Sequence, residues 1–414
     1  MRLWDKVLAS FLEKLVRHGR LRVVFPDGRT ADFGQAGVAP VTLRLHDAQA
    51  TRRLVLAPEL ALGEAYMEGA LSVDKDDLTG LLCLLTANLA CRKERSIDRW
   101  RRRLRYATRR FRQFNPARRA QRNVAHHYDL SDELYRLFLD GDRQYSCAYF
   151  RTPGDSLETA QEAKKELIAR KLLLRPGLRV LDIGCGWGGL GLYLARQYGA
   201  AVTGITLSQE QLKIAIARAQ DSAPPAAPAP CFRLQDYRAV DERFERIVSV
   251  GMFEHVGVPH YRQFFASLRE RLTDDGIALV HTIGRVDGPG ATNPWIAKYI
   301  FPGGYVPALS EVLPFIEQAG LTVTDIEVWR LHYAETLKAW RRRFMANRDK
   351  IRALYDERFC RMWHFYLAAS EAAFRHGGHV VFQIQIARRQ HDVPLTRDYL
   401  FTLGEGTLPA GKTA

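Results

Sequence analysis

The 414-residue chain has only six cysteines, scattered and with no C-x-x-C pair. That scarcity argues against a disulfide framework and against a cysteine-based structural zinc. No apolar run approaches the ~18–20 residues needed to span a bilayer. The best candidate, Leu78 to Ala90, is too short and contains Thr79, Thr86 and Asn88. The N-terminus carries Asp5, Lys6, Glu13 and Lys14 where a signal peptide needs an apolar stretch, so a cytoplasmic location is expected. No internal repeat is visible. What remains is a chain that is 47% apolar, long enough for two domains or more with a sizeable core.

The formal net charge of +15 is unevenly placed. Residues 1–91 hold 11 basic and 11 acidic residues. Residues 92–122 hold 14 Lys and Arg against Glu94 and Asp98, a net +12 that leaves +3 for the remaining 292 residues. This segment, with Arg99-Trp100-Arg101-Arg102-Arg103, has few breakers before Pro116 and reads as a partly helical basic linker. Charge alone leaves three uses open: a solvated connection, phosphate contacts to nucleic acid, or docking on anionic lipid headgroups.

Residues 1–91 read as a small α+β domain that contacts lipid in one reading. Leu3, Trp4, Val7, Leu8, Phe11, Leu12 and Leu15 recur at helical spacing. This apolar face either packs on its own domain or lies on a membrane surface. Leu21 to Phe25 and Val41 to Leu45 read as strands with Pro26-Asp27-Gly28 as the turn between, and Leu60 to Met67 as a helix. From residue 123 to 401 strands and helices alternate, the pattern of a parallel α/β sheet. Its seven strands are Arg179–Ile183, Ala201–Ile205, Cys231–Leu234, Arg246–Val250, Ile277–Ile283, Val323–Val328 and Val380–Ile386. Helical stretches between Ile296 and Arg375, including Leu354 to Phe374, are expected to cover the strand ends as a lid. Pro224 to Pro230 reads as a surface insertion and 402–414 as a flexible tail.

Leu181-Asp182-Ile183-Gly184-Cys185-Gly186-Trp187-Gly188-Gly189 carries the most information. Strand, glycine turn and helix form the context in which such a loop binds a nucleotide-like ligand. Asp182 puts a carboxylate at the strand end, where it accepts from a cationic amino group. That suits S-adenosylmethionine better than a dinucleotide. The second strand ends Gly204-Ile205-Thr206-Leu207-Ser208, without the acidic residue that usually holds a ribose; Thr206 and Gln211 are left to supply hydrogen bonds. After the third strand, Gln235 and Asp236 precede Tyr237, and Asp236 reads as an acceptor for an adenine amine or as a turn cap. Glu254 follows the fourth strand among apolar neighbours, suited to a base or an orienting group.

Together these segments are identified. His127-Tyr128-Asp129-Leu130, Tyr145-Ser146-Cys147-Ala148-Tyr149, the glycine loop, Gly204 to Ser208 with Gln211, Phe253-Glu254-His255-Val256-Gly257, His281-Thr282-Ile283-Gly284 and Tyr299-Ile300-Phe301-Pro302-Gly303-Gly304 occur in order. In these motifs the chain resembles the cyclopropane-fatty-acyl-phospholipid synthases, the mycolic-acid-type cyclopropane synthases and related lipid methyltransferases. Gly63-Glu64-Ala65-Tyr66-Met67-Glu68-Gly69 resembles the extra domain of the longer bacterial synthases.

The resemblance implies a class I methyltransferase fold: a Rossmann-like seven-stranded sheet with a helical lid, plus the small N-terminal α+β domain. It implies transfer of a methylene group from S-adenosylmethionine to the cis double bond of an unsaturated phospholipid acyl chain. The alkene takes the methyl group, a base removes one proton from it, and the ring closes away from water. In this family the base is bound bicarbonate, whose ligands map to Cys147, Glu254, His281, the backbone of Ile283, and Tyr333. A nucleophilic role for Cys147 has no covalent step to serve. The cofactor residues carry over as Tyr145, Ser146, Asp182, Gly184, Gly186, Trp187, Thr206, Leu207, Gln211, Gln235 and Asp236. Departures at Ser131-Asp132 and at Asp140-Gly141-Asp142-Arg143 are expected on the substrate side. The family also implies a homodimer, peripheral association with the inner face of the cell membrane and no nucleic-acid partner. The basic segment then reads as a contact for an anionic membrane surface. Rival readings are a methyl-branched or methylene product, a small-molecule N-methyltransferase, and a nucleic-acid-binding protein with a degenerate methyltransferase domain.

Overall fold

A computed structural model describes residues 2–91, 130–222 and 229–401. The basic segment, His127 to Asp129, most of the proline-rich insertion and the C-terminal tail lie outside these described residues.

The N-terminal part opens with α1 (Leu3–Leu15), whose Leu8, Leu12 and Leu15 are buried at helical spacing while Leu3 and Val7 stay exposed. Strands β1 (Arg20–Val24), β2 (Thr30–Gly34) and β3 (Val41–Leu45) follow. Sequence reading placed one turn between two strands here. The turn instead leads into the unforeseen β2, which pairs antiparallel to β1, and β1 lies parallel to β3. The strand Thr-Ala-Asp-Phe-Gly buries only Phe33, so it shows little hydrophobic alternation. Helices α2 (Ala48–Leu56), capped by Asp47, and α3 (Pro58–Met67) precede β4 (Leu71–Val73), which completes a sheet of order β2-β1-β3-β4. Helix α4 (Leu78–Ala90) is capped by Asp77, which accepts from the Gly80 N–H at 2.9 Å.

Short helix α5 (Asp132–Phe138) and long helix α6 (Leu157–Lys171), each capped by a serine, lead into the large sheet. There β5 (Arg179–Ile183), α7 (Gly189–Tyr198), β6 (Ala201–Thr206), α8 (Gln209–Ser222), β7 (Cys231–Leu234) and β8 (Phe244–Val250) succeed one another. Then come α9 (Tyr261–Arg271), β9 (Leu272–Arg285), α10 (Pro294–Tyr299), α11 (Leu309–Gln318) and β10 (Thr322–Trp329). Helices α12 (His332–Ala346), α13 (Arg348–Leu354) and α14 (Glu357–His376) precede the last strand, β11 (His379–Ala387). The helix expected over 354–374 thus starts at Glu357, because Asp356 caps it by accepting from the Phe359 N–H.

The strand order is β10-β11-β9-β8-β5-β6-β7, parallel except for β11, which runs antiparallel to both neighbours. All seven expected strands are present and the fold is the class I methyltransferase architecture. Strand order reverses at β5, so the carboxyl ends of β5, β6 and β8 face the crevice where such sheets bind ligands.

The N-terminal part is seated on the helices beyond the sheet. Helix α14 packs on α4, α3 and α12, and one apolar cluster runs from Leu8 to Val381. Gly63 makes the closest approach: a Cβ there would run into the buried Trp295 indole. Trp295 Nε1 donates to Met67 Sδ at 3.3 Å, and Glu64 accepts from Lys298 and Tyr299 at 2.7 and 2.9 Å. No helix among the described residues is long and apolar enough to cross a membrane.

Candidate active site

One cavity opens at the carboxyl edge of the large sheet. Its floor is the turn after β5. Gly184 has φ +85°, and a Cβ there would lie 2.9 Å from Met252 Cβ, so both the conformation and the space call for glycine. The Gly184 and Cys185 N–H groups both donate to Ile205 O, at 2.9 and 3.0 Å, tying the turn to β6.

All eleven expected cofactor residues line this one cavity: Tyr145, Ser146, Asp182, Gly184, Gly186, Trp187, Thr206, Leu207, Gln211, Gln235 and Asp236. Several are already oriented by neighbours. Thr206 Oγ1 and Gln211 Oε1 are 3.0 Å apart. Gln235 donates to Ala239 O at 2.7 Å. Asp236 accepts from the Arg238 backbone N–H at 3.0 Å and from its guanidinium at 2.6 and 2.8 Å. Asp236 is therefore a cap as well as a cavity residue. Tyr145 shares a hydrogen bond of 2.9 Å with Tyr366 of α14, and Trp187 packs on Tyr135 with ring centroids 4.8 Å apart.

Asp182 differs from these. It is buried, its Oδ2 has no hydrogen-bond partner among the described residues, and burial pushes its carboxyl up to about 7 against the pull of nearby Lys164. An unmet buried acceptor facing a cavity fits a cofactor that brings a cationic amino group. The residues thus fit S-adenosylmethionine.

The expected base residues are absent from that lining. Glu254 stands just after β8, and its Oε1 accepts from the Ile283 N–H of β9 at 2.7 Å. Its Oε2 is buried without a partner among the described residues, and burial raises the carboxyl to about 7. The Ile283 N–H, expected to face an anion, is thereby used to orient Glu254. Two residues earlier on β9, His281 is held far below its usual pKa by burial, so its ring is neutral. Gln383 of β11, directly across in register, places Nε2 3.0 Å from His281 Nδ1. With this amide donating, the histidine proton sits on Nε2.

Cys147 is fully buried; its thiol donates to Ala148 O at 3.3 Å, and burial pushes its pKa well up. It is a neutral thiol, unsuited to nucleophilic attack. The Ala148 N–H donates to Thr336 Oγ1 at 3.0 Å, joining this segment to α12, where Tyr333 lies one turn earlier, packed on Trp340 and Phe374. Glu254 and Ile283 are thus in direct contact, while Cys147 and Tyr333 are both tied to α12. An unmet buried acceptor at Glu254 and neutral donors at His281, Cys147 and Tyr333 are residue types that fit a small oxyanion sharing a proton with Glu254.

The departure at Asp140–Arg143 is not on a separate substrate side. Arg143 and Gln144 line the cofactor cavity, and Asp142 supports it through Lys165 at 2.8 Å and Gln144 at 3.0 Å. Sequence reading also missed Lys164, Arg238, Met252 and His255 in the cavity and Gln383 outside it. Lys164 had a signal: it shares the apolar face of α6 with Ala160, Ala163 and Ile168. Gln383 had none, because a glutamine in a buried strand looks like a satisfied core residue until its partner across the sheet is known.

Comparison with known proteins agrees with this geometry. Residues 115–384 match the family model of mycolic acid cyclopropane synthetase, and residues 7–88 match a domain of unknown function. The chain is 39% identical over 352 residues to the cyclopropane-fatty-acyl-phospholipid synthase of Escherichia coli, covering 85% of this chain and 89% of that one. It is 36% identical to the tuberculostearic acid methyltransferase of Mycobacterium tuberculosis, covering 91% and 90%. Among solved structures, a cyclopropane synthase of Mycobacterium tuberculosis superposes with a TM-score of 0.62 at 34% identity, over 66% of this chain and 99% of that one.

Proposed function

The chain belongs to the mycolic acid cyclopropane synthetase family and is a methyltransferase-class enzyme, and from that premise we propose its reaction. It transfers a methylene group from S-adenosylmethionine to the cis double bond of an unsaturated phospholipid acyl chain, closing a cyclopropane ring, with bicarbonate as base. When bound, S-adenosylmethionine supplies an electrophilic methyl group and bicarbonate supplies a weakly basic oxygen. Asp182, with Ser146 and Tyr145 beside the glycine turn, holds the methionyl end. Thr206, Gln211, Gln235 and Asp236 hold the adenosyl end, and Trp187 closes the wall. His281 offers Nε2–H as a neutral donor, Tyr333 a hydroxyl and Cys147 a neutral thiol. Glu254 accepts and releases a proton at Oε2. Donors without net charge bind an oxyanion while keeping it basic enough to take a proton.

One observation carries the reading: the buried Oε2 of Glu254, which has no partner among the described residues. A buried carboxyl oxygen left without a partner costs about 1–3 kcal/mol, a cost that a purely structural glutamate has no reason to keep. Residues 1–91 serve as an N-terminal domain on the catalytic unit 123–401. The basic residues 92–122 supply the contact with an anionic membrane, and the active form is a homodimer at the inner membrane face.

The similarity to a tuberculostearic acid methyltransferase favours a second reading, a methyl-branched product. One experiment separates the two. The protein is incubated with unsaturated phospholipid vesicles and S-adenosylmethionine bearing a trideuterated methyl group, and the acyl chains are weighed by mass spectrometry. Two retained deuterium atoms in a chain without its double bond are expected. Three retained atoms in a branched chain establish the second reading, and unlabelled lipid overturns both.

A further inference from the structure

Three cations line the cofactor cavity: Arg143, Lys164 and Arg238. Arg143 is paired with Asp132 at 2.6 Å and Arg238 with Asp236 at 2.6 Å. Lys164 is different. It is fully buried in α6, and its ammonium donates to two neutral oxygens, Gln144 Oε1 at 2.6 Å and Ser146 Oγ at 2.8 Å. Among the described residues no carboxylate lies within ion-pair distance of it; Asp140 and Asp142 act on it only from farther away. A lysine is almost never fully buried without a charged partner. An ammonium has three N–H donors and two are used here, which leaves one for the cavity.

The cavity also holds the opposite case, Asp182, a buried carboxyl whose Oδ2 has no partner among the described residues and which feels the charge of Lys164 without touching it. A buried cation and a buried anion, each lacking an opposite charge in contact, face one cavity. The ligand that satisfies both is a zwitterion of the α-amino acid type. Resting on the reading that this cavity holds S-adenosylmethionine, we propose that Lys164 binds the α-carboxylate of its methionyl portion, opposite Asp182, which takes the α-ammonium. Gln144 and Ser146 aim the ammonium, and the ordered 140–146 segment fixes them in turn: Asp140 accepts from the Gln144 and Asp142 N–H groups at 2.9 and 3.0 Å. Lys164 is then a positioning residue that sets where the reactive methyl group points, and the cavity selects against cofactors that lack a carboxylate.

The test is calorimetric titration of wild type and K164Q with S-adenosylmethionine and with its decarboxylated analogue, which keeps the amine and sulfonium. Wild type is expected to bind the intact cofactor at least 10-fold more tightly than the analogue, in line with a charge-assisted hydrogen bond. K164Q is expected to weaken the intact cofactor by at least 10-fold and the analogue by less than about 3-fold, so that the preference collapses. Equal affinity of wild type for the two ligands overturns the proposal. Equal weakening of both by K164Q also overturns it and assigns Lys164 to folding alone. Should K164Q not fold, K164R decides: selective loss of the intact cofactor supports the contact, and parallel loss overturns it. Binding of neither ligand by wild type is a separate failure, that of the cofactor reading itself.

Discussion

The cavity lining and the residues Glu254, His281 and Gln383 outside it differ in how far their polar demands are met among the described residues. In the cavity most polar side chains are already partnered: Thr206 with Gln211, Gln235 with Ala239, Asp236 with Arg238. Outside the cavity Glu254 Oε2 and Gln383 Oε1 are buried without partners among the described residues, and His281 is held neutral. A cavity whose walls are held in place binds with little reorganisation. Burial without a partner raises both Asp182 in the cavity and Glu254 outside it to about 7, so the two carboxyls differ in what they face. On the proposed reading the cavity holds the cofactor and Glu254 moves the proton, so substitutions should separate binding from turnover.

E254Q provides the largest expected break. It keeps the shape and removes the proton acceptor, so turnover should fall on the order of 10²–10⁴-fold, while the Kd for S-adenosylmethionine stays within about 2-fold of wild type. Unchanged turnover, measured by methyl transfer to lipid, would place the base elsewhere. The same variant carries a stability signature. Burial raises Glu254 from an ordinary 4.5 to about 7, so the folded state keeps a proton that the unfolded chain gives up first. That contribution to stability is fully present below about pH 4.5 and is lost as pH rises through about 7, a loss of roughly 3 kcal/mol. Denaturant unfolding of E254Q should therefore weaken less between about pH 5 and pH 8 than that of wild type; identical pH profiles would show that the carboxyl is not raised.

D182N tests the other side. It should weaken S-adenosylmethionine binding by roughly 10–100-fold, the worth of a buried charge-assisted hydrogen bond, with turnover at saturating cofactor much less affected. If calorimetry shows unaltered affinity, Asp182 is a structural residue and the division between the regions fails. Q383L is the mildest. It removes the donor to His281 Nδ1 while preserving bulk, so turnover should drop about 10-fold through a misoriented ring, with the cofactor Kd unmoved. A loss confined to affinity would tie Gln383 to the cavity instead.

The two regions also differ in how visible they are before folding. The cavity is built from residues that end consecutive strands. Asp182 lies at the end of β5 with the glycines after it, Thr206 ends β6 with Gln211 after it, and Gln235 and Asp236 follow β7. Strand-end position can be read from local pattern, because a parallel sheet brings all such ends to one edge. Hence the expected strand-end residues reached the cavity, while Tyr145 and Ser146, expected from the family resemblance, line it from the segment before α6. Lys164 was within reach as a charge on an apolar helix face, but its meaning depends on Asp182 being left without a partner, which no local pattern states. In the N-terminal part, β2 escaped because a strand with one buried side chain carries almost no alternation.

The sequence by itself determined the alternation of strands and helices, the glycine turn and the carboxyl at its head, since these follow from backbone conformation and periodicity over a few residues. Only the tertiary structure decided the polar accounting. It gave the Ile283 N–H to Glu254, set Gln383 across from His281 through the antiparallel register of β11 on β9, and seated Trp295 against Gly63. Those outcomes join residues tens to hundreds of positions apart. Which buried donor meets which acceptor is settled by packing, where an unmet polar atom costs as much as a hydrogen bond gains.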